Sequence, residues 1–169
     1  NPTQTLAWFK KYPPKMAKGV VAYIQALKQQ GFPKEAKIIL EKAWLHQDFS
    51  QDEEKILLTN YKNLISPALH LGRAQRLLRE NKVEAANRLA SYLPKNVRQF
   101  IKVRIALRDR KHDALKLLLT LSEKQRMDVG LIHDELKYRL RNDDLQAYAF
   151  FKKNKALIEQ YPEVFWSSR

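Results

Sequence analysis

Three stretches of the chain repeat one spacing: Leu78-Arg79, Glu84-Ala85 and Leu89; Leu107-Arg108, Asp113-Ala114 and Leu118; Leu140-Arg141, Gln146-Ala147 and Phe151. In each, the alanine follows the leucine by seven residues and the closing apolar residue comes four later. A looser copy, Leu27-Lys28, Glu35-Ala36 and Leu40, reads as the same pattern with two extra residues in the turn, Phe32 and Pro33. A cation near the end of one helix complements the partial negative charge of its last turn. An acid or amide then suits the start of the next helix, and an alanine lets the two approach closely, with the residue four later on the same face. Self-similarity of this kind predicts helix hairpins stacked into an α-solenoid.

The composition agrees. The 169 residues include only 4 glycines, and Leu, Ala, Lys, Arg and Gln are good helix formers. No alternating β-rich run is present, and no apolar stretch approaches the ~20 residues that a membrane-spanning helix requires. The expected architecture is an all-α, right-handed superhelix of antiparallel hairpins with about eleven helices over 1–169, with sub-blocks 1–62 and 63–169.

Punctuation places the segments. Leu6, Trp8 and Phe9 lie on a first helix from Thr3 to Lys11, stopped by Tyr12-Pro13-Pro14. The stripe Val20, Ile24 and Leu27 marks a second from Lys15 to Gln30, with Gly31 as its stop. Pro33 opens the third, whose inner face carries Ala36, Ile39, Leu40, Ala43 and Trp44. Ser50 with Glu53 forms a capping box for a helix through Tyr61, and Ser66-Pro67 starts another through Leu78. Val83–Tyr92, Asn96–Arg108 and His112–Leu121 follow, and both sides of the Asn96–Arg108 segment are largely apolar, as in an inner layer. Asp128 caps a helix through Arg141, Asp144 caps Leu145–Lys153, and Ala156–Arg169 holds one short helix around Pro162. The ending Val164-Phe165-Trp166 is too apolar for a free terminus and predicts that something in the parent protein packs on it.

Catalytic and metal-binding signatures are missing. His46, His70, His112 and His133 are scattered, and His133-Asp134-Glu135 lacks the second histidine of a zinc-protease helix. With no cysteine there is no thiolate nucleophile or zinc knuckle, and the glycines form no phosphate-cradling loop. Glu53 and Glu54 are adjacent on a helix and point apart, so they are not a catalytic carboxylate pair. No cofactor or metal is expected. A cysteine-free chain opening on Asn1-Pro2, without initiator methionine or leader, reads as a processed or excised piece.

The net charge of +14 predicts a positive field that attracts polyanions and fades with salt. Arg73, Arg76, Arg104, Arg108, Lys137 and Arg141 are the candidate anion- or glycan-binding residues, because the pairs Arg104/Arg108 and Lys137/Arg141 each share a helix side. Nucleic acid or a groove-bound protein partner would also suit a basic helical repeat.

Several blocks add a resemblance. Leu6-Ala7-Trp8-Phe9 with Tyr12-Pro13-Pro14, Ala43-Trp44-Leu45 with Asp48-Phe49-Ser50, and His70 and Arg73 ahead of Arg76-Leu77-Leu78 are three of them. Val103-Arg104-Ile105-Ala106-Leu107-Arg108, and Asp128-Val129-Gly130-Leu131 with Glu135-Leu136-Lys137-Tyr138-Arg139, continue the series over nearly the whole chain. Together they resemble the helical part of the bacterial soluble lytic murein transglycosylases. The resemblance implies a periplasmic parent acting on peptidoglycan, with a superhelical portion that positions glycan strands. It also implies a separate C-terminal lysozyme-like domain whose Glu-Ser pair supplies the single general acid/base and which closes an anhydro ring on the sugar. No glutamate of this chain is followed by serine. The catalytic residues are therefore expected outside it, and Trp8, Trp44 and Trp166 are the aromatics available for sugar contact or for core packing.

Overall fold

A computed structural model describes residues 1–166, and every element among them is helical. In order these are α1 (Pro2–Lys11), α2 (Ala17–Gln29), α3 (Pro33–His46), α4 (Gln51–Tyr61), α5 (Pro67–Arg79), α6 (Val83–Leu89), α7 (Lys95–Arg108), α8 (Ala114–Leu117), α9 (Glu123–Arg126), α10 (Val129–Leu140), α11 (Asp144–Gln160) and α12 (Pro162–Trp166). Short 3-10 turns extend α4, α6 and α8. Two compact units divide within α5, one of residues 1–76 and one beginning at Leu77.

In the first unit, α2 packs against α1, α3 and α4. Val20, Ile24 and Leu27 are buried on its inner face together with Leu40, Trp44 and Leu57 from its neighbours. Fully burying each such side chain contributes about 1.5–3 kcal/mol. The predicted caps are present: Ser50 Oγ accepts from the Glu53 N–H while Glu53 Oε2 accepts from the Ser50 N–H, and Ser66 Oγ accepts from the Leu69 N–H.

In the second unit α10 is the central rod, packed on α7, α9, α11 and α12. Residues 131 to 136 are buried without a break, so this helix is covered on all sides rather than along one stripe. Ile132 and Leu136 join Ile158 and Phe165 in one apolar cluster. Phe165 is buried against this chain's own helices, whereas Trp166 is exposed. Truncating Ile158 to alanine removes about 2–5 kcal/mol from this cluster.

The turns revise the repeat. Across Gly31, Asn81 and Arg110, all at positive φ, the N–H groups of Phe32, Lys82 and Lys111 donate to the carbonyls of Leu27, Leu77 and Ala106. This is one helix stop used three times, with a left-handed residue releasing the chain. Alignment on it makes Ala86 the counterpart of Ala36, and Ala86 is fully buried while Ala85 is not. Leu27, Gly31, Ala36 and Leu40 then match Leu77, Asn81, Ala86 and Ala90 residue for residue, so the first turn carries no insertion. Ala114 and Ala147 are buried as expected.

Other boundaries shift for local reasons. The cap of α11 is Asp143, whose Oδ1 accepts from the N–H groups of Leu145 and Gln146, and the helix runs to Gln160 instead of stopping near Lys153. Its asparagine is tolerated mid-helix because Asn154 Nδ2 donates to the Phe150 carbonyl four residues back. The short α9, closed by a Ser122/Gln125 capping box, is an additional helix. The expected final segment is α12, and its predicted extension over 167–169 lies outside the described residues.

Candidate functional site

The candidate cations separate into two settings, one in each unit. Arg73, on α5, is fully buried. Its Nη1 donates to the carbonyls of Trp44 and Gln47, both at 2.7 Å, and so satisfies acceptors that the end of α3 leaves open. Nη2 donates to Glu54 Oε1 at 3.1 Å, and the rings of Trp44 and Phe49 flank the guanidinium. Burial pulls the Arg73 guanidinium below its ordinary pKa, with Glu54 acting in the opposite sense. Arg76 continues the clamp with Nη2 on the Gln47 carbonyl and Nη1 on Asp48 Oδ1. Arg73 and Arg76 thus fasten the α3–α4 connection. Arg73 offers no accessible surface, and Trp44 is a core anchor with no exposed face. His70 lies edge-on to Trp44 at 5.3 Å between ring centroids. Burial, with the charge of Arg73, pushes its imidazole down to about 4.

The other four candidates converge in the second unit. α10 buries the polar run His133-Asp134-Glu135, and buried charge must be paired. Asp134, 1% exposed, accepts from Arg104 Nε on Oδ2 at 2.7 Å and pairs with Arg108 Nη2 through Oδ1, also at 2.7 Å. His133 Nδ1 approaches the same Oδ1 at 3.5 Å. Burial pushes the Asp134 carboxyl up, but the charge of Arg104, the His133 hydrogen bond and the charge of Arg108 outweigh it and hold the group below its ordinary value. Arg139 pairs with Glu135, one turn away on the same helix.

Beside this cluster opens a cleft of about 580 Å³. Arg79 from the last turn of α5, Arg104 and Arg108 from α7, and Lys137 and Arg141 line it, opposed among the described residues by the carboxylates of Asp134 and Glu163. Lys137 and Arg141 are one turn apart, which brings them to one side of the α10 end. Burial lowers the Lys137 ammonium below its usual range, and the like charges of Arg108 and Arg141 add to the effect. Gly130 forms part of the wall, where a Cβ would stand 2.6 Å from Arg104 Nη2.

Arg79, Gly130, Asp134 and Glu163 line the cleft without being among the sequence candidates. The signal for Asp134 was a three-residue polar run inside an otherwise apolar helix, which demands partners wherever it is buried. Glu53 and Glu54 do point apart, one to a helix cap and the other to Arg73. His46 and His112 are exposed, whereas His70 and His133 are buried. Among the described residues no group of three or more His, Asp or Glu side chains is arranged for a metal ion, and no helix is long and apolar enough to cross a membrane. The chemistry available to the cleft is electrostatic: it can hold and orient an anion. The chain matches no protein-family model, no curated protein and no solved structure.

Proposed function

We propose that this chain is the non-catalytic helical-repeat part of a bacterial lytic transglycosylase, working in the periplasm on peptidoglycan. Its hairpins stack as a right-handed superhelix that holds anionic glycan strands for an active site carried by a C-terminal catalytic domain of the parent. The observation that carries this reading is the cleft in which, among the described residues, five cations face two carboxylates. Blocks of core and turn residues spread along the chain support the family, and the thrice-used helix stop supports a repeat. A cationic recess with low-dielectric walls concentrates polyanions, and at ~0.1 M salt, where the screening length is about 10 Å, it acts at contact range.

Co-sedimentation with purified sacculi tests the reading. The chain should pellet with sacculi at low salt and be released as salt rises, and charge reversal at Lys137 and Arg141 should reduce the bound fraction. Failure to pellet at low salt overturns the assignment. Tight retention of duplex or single-stranded nucleic acid at physiological salt, without sacculus binding, would assign the cleft to phosphates instead.

A further inference from the structure

The cationic cleft of the second unit has a more specific content than a positive patch. One carboxylate, Asp134, serves both Arg104 and Arg108, so the buried cluster keeps an excess positive charge. Arg104 Nη2 and Arg108 Nε are buried and have no acceptor among the described residues. The Nε atoms of Arg73 and Arg98, outside the cleft, are in the same state, so it is the excess charge of the cluster that calls for an anion. Lys137 and Arg141 share the same space, and the repulsion of Arg108 and Arg141 at Lys137 is opposed there by Asp134. Beside the cations and the carboxylates of Asp134 and Glu163, Leu107, Tyr138 and Val164 give the wall aliphatic and aromatic surface. Its volume of about 580 Å³ suits a ligand larger than a bare inorganic ion, since pockets for small organic molecules run from roughly 300 to 1,000 Å³.

We infer that this cleft is a binding site for a small aliphatic polycarboxylate, of the kind presented by a short acidic peptide, with carboxylates on Arg108, Lys137 and Arg141 and methylenes against Leu107 and Val164. The inference rests on the anion-binding reading of the cleft and narrows its ligand from glycan in general to the free carboxylates of attached peptides.

Titration of the whole chain with triglutamate, triglutamine and inorganic phosphate at matched ionic strength, followed by calorimetry and by amide shifts, tests it. Triglutamate should bind, triglutamine should not, and phosphate should bind more weakly. Lys137→Gln and Arg141→Gln, both at the rim of the cleft, should each weaken triglutamate about tenfold, the loss of one charge-assisted contact. Equal binding of the acid and its amide, binding of neither, or phosphate as tight as triglutamate would each overturn the inference. Sacculi that pellet the chain while triglutamate leaves the cleft amides unmoved would sink this site and leave the proposed function standing. Triglutamate binding without retention by sacculi would do the reverse.

Discussion

Arg104 Nε and Asp134 Oδ2 meet at 2.7 Å although thirty residues separate them in the chain, and neither side chain is more than 2% exposed. Such a pair is costly to break, because removing one partner leaves a charge in a medium that cannot solvate it. Asp134→Asn should cost about 3–5 kcal/mol, lowering Tm by roughly 10 °C in a chain of this length. Because the folded carboxyl lies below its ordinary value of 3.8, acid protonates the unfolded state first. The contribution of Asp134 is complete above that ordinary value and is lost as pH falls through the lower folded one. Urea midpoints of wild type and Asp134→Asn should therefore converge as the solution is acidified. A constant gap down to the most acid conditions that still allow folding would contradict this.

Gly130 gives a test in which two principles predict opposite signs. In a helix, replacing glycine by alanine normally stabilises by about 0.5–1 kcal/mol. Here the added Cβ would stand 2.6 Å from Arg104 Nη2 and 2.8 Å from its Cζ. The guanidinium cannot retreat cheaply, since Asp134 holds its Nε. Gly130→Ala should destabilise by about 1–3 kcal/mol, and the loss should largely vanish in an Arg104→Met background. A double-mutant cycle with no coupling would refute the steric account.

His70 predicts a second pH dependence. Its folded value near 4, against 6.5 for the free side chain, means that only the unfolded state takes up a proton between those values. Its contribution is complete above 6.5 and declines as pH falls towards 4, amounting to up to about 3 kcal/mol. Urea denaturation followed by circular dichroism at pH values across this window should show the slope in wild type and lose most of it in His70→Leu. An unchanged slope in the variant would assign the effect to other groups.

Local signals in the sequence were informative where the structural partner is also local. The Ser50/Glu53 box, Ser66 and Asp128 all cap helices as their spacing indicates, since the donor and acceptor lie within one turn. The choice between neighbours was not legible: Asp143 rather than Asp144 caps α11, and Ala86 rather than Ala85 is buried, because burial selects one face after the turn is formed. The six cations were all visible as charges, yet Arg73 and Arg104 look no different in sequence from Arg141. Contacts 19 and 30 residues away, with Glu54 and Asp134, turn the first two into buried anchors. The cleft was hidden for the same reason, since residues from α5, α7 and α10 build it.

The two capping boxes use different third residues, and a second contact explains each choice. Glu53 Oε2 accepts from the Ser50 N–H while Oε1 accepts from the Ala17 N–H at 3.1 Å, tying the start of α4 to the start of α2. Gln125 Oε1 accepts from the Ser122 N–H while Nε2 donates to the Asn96 carbonyl at 3.1 Å. The first position needs two acceptors and the second needs an acceptor and a donor, so exchanging acid and amide should harm both. Glu53→Gln would turn an NH₂ group towards the Ala17 N–H, and Gln125→Glu would face a carboxylate with the Asn96 carbonyl. Each change should cost about 1–2 kcal/mol by urea denaturation. The backbone hydrogen bonds from Ser50 and Ala17 hold the Glu53 carboxyl below its ordinary value of 4.5. The penalty of Glu53→Gln should therefore shrink as acid protonates Glu53 in the wild type, whereas that of Gln125→Glu should shrink because the introduced acid becomes neutral and can donate. A Glu53→Gln variant as stable as wild type at neutral pH would show that Ala17 finds another acceptor.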